Sequence, residues 1–209
     1  MLSELLVLLQ QQRAIAAIRS PALEWSLAMA RAAAVGGMRL IEITWNSDRP
    51  AATIQQLREE LPHCIVGAGT ILTLDQLQSA IACGSQFGFA PHTSHQLLEA
   101  AVAANFPLIP GALSPTEIVA AWQGGASCVK VFPVQAVGGA SYIRDLQGPL
   151  SQIPLIASGG VTLENASQLL EAGALAVILS RALFPPSLVA SKDWQGISQL
   201  AYRLQQELS

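Results

Sequence analysis

The chain has 209 residues, of which 51% are hydrophobic and 12% charged, with a net charge of −3. That length suits one domain of the α/β-barrel size class, and the slightly acidic balance offers no basic footprint for nucleic acid. Cys64, Cys83 and Cys128 stand alone, which argues against a disulfide framework or a zinc site and suits a reducing cytoplasm.

The surplus of apolar residues points to buried contacts between subunits. No run is long enough to span a membrane. Near the start, the apolar run Leu5–Leu9 follows Glu4 and precedes Gln10-Gln11-Gln12. It reads as a short amphipathic helix from Met1 to Gln12 rather than a signal peptide, because no basic residue precedes it and no small-residue cleavage site follows.

From there strands and helices alternate. Strands are expected at Ala14–Arg19, Leu40–Trp45, Ile65–Thr70, Phe87–Pro91, Pro107–Ala112, Cys128–Pro133, Pro154–Ser158 and Ala176–Arg181. Helices follow each of them. Pro21 to Val35 has a proline near its start and Gly36-Gly37 as its stop. Arg49 to Leu61 closes before Pro62, Thr73 to Cys83 ends at Gly84, and Thr93 to Ala104 follows the fourth strand. Ser114 to Trp122 opens with a serine cap, Pro115 and Glu117, the signature of a capping box. A glycine loop at Gly138-Gly139 leads into a helix through Tyr142 and Leu146; Leu163 to Glu171 ends at Gly173. Pro185-Pro186 leads to a last helix near Gln195 to Glu207. Eight strand–helix units after one leading helix predict a single-domain (β/α)8 TIM barrel spanning residues 1–209. The alternative is an open doubly wound sheet.

Lys130 is the residue that most needs an explanation. The chain has 11 Lys and Arg residues, and only Lys130 and Lys192 are lysines. Lys130 sits in Cys128-Val129-Lys130-Val131-Phe132-Pro133, an apolar strand, and lysine is rarely buried unless paired or used. Strand alternation puts Leu40, Glu42 and Thr44 on one face, and Cys128, Lys130 and Phe132 on another. The β-branched faces, Ile41 with Ile43 and Val129 with Val131, suit the outer helices. Glu42 and Lys130 therefore both point into the barrel, either as a structural ion pair or as an amine nucleophile with its proton shuttle.

In such a barrel chemistry collects at the carboxyl ends of the strands. Arg19, Thr44, Thr70, Pro91, Phe132, Ser158, Ser180 and Arg181 are the candidates there. Gly159-Gly160, just before a helix start, is a candidate anion site. His92 is more plausible as a loop residue than as a base, and His63 and His95 read as surface residues. No metal cluster can be assembled from the spacing.

Several ordered motifs carry a resemblance: Ile41-Glu42-Ile43-Thr44, Val66-Gly67-Ala68-Gly69-Thr70, Ile109-Pro110-Gly111 and Val129-Lys130-Val131-Phe132-Pro133. From about Ala14 to Phe184 the chain resembles the 2-keto-3-deoxy-6-phosphogluconate (KDPG) aldolase family, which includes the 4-hydroxy-2-oxoglutarate (KHG) aldolases. The resemblance implies a cytoplasmic, homotrimeric class I aldolase that uses no metal or cofactor and acts on a small 2-keto acid. It implies Lys130 as the Schiff-base lysine and Glu42 as general acid/base. It places Arg19 and Thr70 at the substrate's carboxylate and hydroxyl region, and Gly159-Gly160 in the phosphate loop. The chain departs from the family in three places. Asn46 stands where some members carry arginine. Ala157-Ser158-Gly159-Gly160 replaces Pro-Thr-Gly-Gly, and Ser180-Arg181 replaces a Gly-Ser pair. These departures bear on substrate choice. A 2-keto-3-deoxy-6-phosphogalactonate aldolase and a non-catalytic phosphate-binding barrel are the alternatives.

Overall fold

The computed structural model describes residues 2–208, so Met1 of the expected leading helix lies outside the described residues. Nine parallel strands form one sheet: β1 (Ala14–Ile18), β2 (Leu40–Thr44), β3 (Ile65–Gly69), β4 (Gly88–Phe89), β5 (Leu108–Ile109), β6 (Gly111–Ala112), β7 (Val129–Val131), β8 (Leu155–Ser158) and β9 (Ala176–Leu179). Their order is β5-β4-β3-β2-β1-β9-β8-β7-β6. β5 and β6 are one expected strand, divided at Pro110. Proline has no N–H for the ladder, but its carbonyl still accepts from Lys130 N at 2.9 Å. β5 pairs β4 and β6 pairs β7, so the ring closes through Pro110 into an eight-stranded barrel. The open sheet is excluded.

Every expected strand is shorter in the structure by one to three residues, and the sixth keeps only Val129–Val131 of Cys128–Pro133. The fourth shrinks from Phe87–Pro91 to Gly88–Phe89, and the fifth loses Pro107 and Pro110. Backbone bonds continue past the regular ladder, with Ala90 N donating to Ile109 O at 3.0 Å and Gly111 N to His92 O at 3.3 Å.

The helices are α1 (Leu2–Gln12), α2 (Leu23–Val35), α3 (Pro50–Glu60), α4 (Leu74–Ala82), α5 (His95–Ala103), α6 (Pro115–Gln123), α7 (Ala140–Leu150), α8 (Leu163–Glu171), α9 (Pro186–Ala190) and α10 (Trp194–Leu208). The capping box expected at Ser114 and Glu117 is present. A second box, Thr162 with Asn165, opens α8. α9 and a 3-10 turn at Val134–Val137 were not legible, because both are single-turn segments directly after prolines. Among the described residues no helix is long and apolar enough to cross a membrane.

The apolar side chains divide as strand alternation requires. Ile41, Ile43, Val66, Val129 and Val131 pack outward against the helices. Leu40, Phe87, Phe89, Ile109, Cys128, Ile156 and Ala176 fill the barrel interior. Leu5 and Leu9 of α1 join the interior cluster, so the leading helix plugs the end of the barrel opposite the site. Full burial of a leucine such as Leu9 stabilises by about 1.5–3 kcal/mol. The packed floor leaves polar groups room only at the other end, where the strands finish.

Candidate active site

β7 carries Lys130 between Val129 and Val131, whose side chains face outward. Its register against β6 and β8 sets Lys130 level with Gly111 and Ile156. The lysine is only 6% exposed. Its Nζ lies 4.9 Å from the ring centre of Phe132 and 5.6 Å from that of Phe89. These two rings strip water from the amine. Burial pushes the Lys130 pKa down; Glu42 opposes that, and Arg19 adds to it. A larger fraction of the amine is therefore neutral near pH 7 than for a surface lysine, as a nucleophile requires.

Glu42 on β2 is 2% exposed. Burial raises its pKa, against the opposing fields of Lys130 and Arg19. Its Oε2 is buried without a hydrogen-bond partner among the described residues. The ion pairs among the described residues are Arg31–Glu60, Arg49–Glu24 and Arg49–Asp48. Glu42 and Lys130 sense each other's charge but form no direct bridge. A carboxyl with raised pKa and an unengaged oxygen is equipped to give and take a proton.

The carboxyl has this position because of Gly69. A Cβ added to Gly69 would fall 1.6 Å from Glu42 Oε1 and 2.4 Å from its Cδ. Gly69 is thus the wall against which the carboxyl rests. Just beyond it Thr70 holds φ 58°, a left-handed conformation that is unusual for a β-branched residue and costs about 1–3 kcal/mol. Trp45 N to Gly69 O (2.7 Å) and Ile71 N to Phe89 O (3.1 Å) brace the chain on either side.

All twelve residues singled out from the sequence line one cavity of about 680 Å³: Arg19, Glu42, Thr44, Thr70, Pro91, Lys130, Phe132, Ser158, Gly159, Gly160, Ser180 and Arg181. Ala17, Val161, Thr162, Ile178 and Ala182 complete the lining. The hydroxyl of Thr44 is 3.1 Å from that of Ser47, which ties it to the loop after β2. Gly159 and Gly160 both have positive φ, 87° and 81°. A Cβ on Gly159 would meet Pro133 at 2.8 Å, and one on Gly160 would meet Gln135 at 2.4 Å. The backbone can lie against the Phe132–Gln135 segment only because both residues are glycine. Gly159-Gly160 and Ser180-Arg181 follow the adjacent strands β8 and β9 and line the cavity together. Arg181 is exposed and forms no ion pair among the described residues.

Sequence reasoning missed Gly69 and Phe89 as parts of the site. Gly69 stood within a quoted motif, and two glycines in one short strand were the available signal. Phe89 resembled any core aromatic until the barrel closed and brought it under Lys130. Of the histidines, none lines the cavity. Among the described residues no three His, Cys, Asp or Glu side chains gather as metal ligands would.

The chain is similar to known proteins in sequence and in fold. The KHG/KDPG aldolase of Escherichia coli (strain K12) is 32% identical over 179 residues, which is 86% of this chain and 84% of that protein. The fold superposes with a TM-score of 0.89 on the KDPG aldolase of Legionella pneumophila, solved with pyruvate captured as a covalent carbinolamine. That structure is 26% identical, over 95% of this chain and 97% of the other. A native KDPGal structure is 29% identical, with a TM-score of 0.81, over 93% of this chain and 96% of the other. The family described as "Aldolase: KDPG and KHG aldolase" matches residues 6–200, and the chain belongs to that family.

Proposed function

We propose that this chain is a class I aldolase that cleaves 2-keto-3-deoxy-6-phosphogluconate to pyruvate and glyceraldehyde 3-phosphate, and 4-hydroxy-2-oxoglutarate to pyruvate and glyoxylate. One observation carries the reading: a buried amine with a lowered pKa shares the barrel mouth with a buried carboxyl it does not bridge. A structural ion pair would bring the two into contact, and a purely phosphate-binding barrel needs neither.

Neutral Lys130 attacks the C2 ketone of the substrate. Glu42 delivers a proton to the departing hydroxyl as the carbinolamine loses water, leaving a protonated imine. The imine draws the electron pair of the breaking carbon–carbon bond onto the pyruvyl fragment as an enamine. Glu42, now a carboxylate, accepts the proton of the substrate's hydroxyl as the aldehyde leaves. Protonation of the enamine and hydrolysis of the imine release pyruvate and restore the amine. Arg19 and Thr70 hold the carboxylate end. The N–H groups of Gly159 and Gly160, beside the start of α8, take the distal anion.

The proposal extends to a single barrel domain working in the cytoplasm as a homotrimer, with the phosphorylated substrate placing it in the Entner–Doudoroff route. The apolar composition and the exposed Val35 and Tyr202 support a self-association surface, which sedimentation equilibrium would count. The decisive test is incubation with pyruvate, borohydride reduction and mass mapping, together with pyruvate release from both substrates coupled to lactate dehydrogenase. The expected adduct is on Lys130, and Lys130→Arg loses turnover because arginine stays protonated. An adduct confined to Lys192, or none, refutes the assignment.

A further inference from the structure

Arg19 follows β1 and Asn46 lies in the loop after β2. Both are exposed at the mouth, and Arg19 lines the cavity that holds Lys130. Arg19 Nε donates to Asn46 Oδ1 at 3.2 Å. The residues on either side of this contact are sewn together. Ser20 N donates to Ser47 Oγ at 3.2 Å, Asp48 N to Ser20 O at 2.9 Å, and Leu23 N to Asp48 Oδ2 at 3.2 Å. Ser47 N also donates to Thr44 O at 2.9 Å. Asn46 is therefore presented to Arg19 by a braced turn rather than by a free loop.

We propose that Asn46 is a positioning residue: it occupies Nε of Arg19 with a neutral acceptor and leaves the charged Nη1–Nη2 edge to grip the carboxylate of a 2-oxo acid beside Lys130. A guanidinium has five N–H donors, and its terminal pair matches a carboxylate in two parallel bonds. An acidic acceptor would hold the same nitrogen but neutralise the charge. Two other arginines show the difference: Arg31 is bridged by Glu60, and Arg49 by Glu24 and Asp48. Arg19 has no carboxylate partner within bridging distance among the described residues, so its full charge remains available to substrate. The same charge depresses the Lys130 pKa. The other groups around Lys130 are Glu42 from β2, Cys128 on its own strand, and Arg181 from the loop after β9 on the wall of the same cavity.

The inference rests on the aldolase reading above, and the experiment separates the two. Borohydride trapping of the pyruvate imine is measured against pyruvate concentration and pH in the wild type, Asn46→Ala, Asn46→Asp and Asn46→Gln, with melting curves to verify folding. Asn46→Ala is expected to raise half-saturating pyruvate about tenfold while leaving the limiting trapping rate at saturation near wild type. Asn46→Asp, the same shape with a charge, raises it at least as far and moves the amine's pH limb upward, because Arg19 no longer depresses Lys130. Asn46→Gln, again a neutral acceptor, recovers most of the affinity. Unchanged half-saturation in both the Ala and Asp variants, or tighter binding in the Asp variant, overturns the inference while leaving the aldolase intact. A loss of limiting rate and melting temperature together, with unchanged half-saturation, assigns Asn46 a structural role and also overturns it. A wild type that forms no imine overturns the aldolase reading, and this inference with it.

Discussion

Gly69→Ala is a single methyl group aimed at the proton shuttle. The glycine lies in β3 with ordinary extended backbone, so alanine meets no dihedral penalty there and the effect comes from contact alone. The new Cβ would lie 1.6 Å from Glu42 Oε1 and 2.6 Å from Cγ. Normal contact needs about 3.5 Å, so the carboxyl must withdraw by about 2 Å. Misplacement by about 1 Å can cost about 10²-fold in rate, and complete loss of a general acid–base group about 10²–10⁴-fold. The expected fall in kcat is therefore about 10²–10⁴-fold. Overpacking should cost about 1–3 kcal/mol of stability, a melting shift of about 2–12 °C for a chain of this size. The assay is pyruvate release coupled to lactate dehydrogenase, with thermal unfolding alongside. A double-mutant cycle with Glu42→Gln sharpens it, since Gly69→Ala should add little once the shuttle is gone. A folded Gly69→Ala protein with wild-type kcat would show that Glu42 does not need this wall. Full additivity in the cycle would mean that the methyl acts elsewhere.

Glu42→Gln keeps the shape, and the expected loss is about 10²–10⁴-fold in turnover with intact folding; wild-type rate would remove Glu42 from the chemistry. Because Glu42 raises the Lys130 pKa, its removal should shift the pH limb of imine trapping downward, and an upward shift would contradict the electrostatics. Arg181→Ala should lower kcat/KM for the phosphorylated substrate alone, by about 10–150-fold if a charge-assisted bond of about 1.5–3 kcal/mol is lost. Equal values before and after, with a wild-type preference for 4-hydroxy-2-oxoglutarate, would remove Arg181 from anion binding. EDTA should leave activity unchanged, and strong inhibition would place a metal in the reaction.

Strand alternation is a local property of the backbone, so the sequence by itself determined which way Glu42 and Lys130 point. Val129 and Val131 could face only apolar helices, and Lys130 between them had to face inward. The eightfold rhythm and the glycine and proline stops likewise placed Arg19, Thr70, Ser158 and Arg181 at strand ends, where this architecture opens. The sequence could not show how far the regular ladders run. Pro110 divides the fifth strand, and the fourth keeps two ladder residues, because those lengths depend on donors supplied by neighbouring strands. Nor could it show which of two inward residues touch. Parallel register sets Glu42 level with Gly67 and Thr44 level with Gly69, and the packed floor of Phe87 and Phe89 fixes the depth of the mouth. Only the tertiary structure decided that Glu42 rests on Gly69 and stays out of bridging distance of Lys130. Only it showed that Arg19 meets Asn46. These contacts join strands 25 or more residues apart in the chain, and such distances are set by packing and register rather than by local preference.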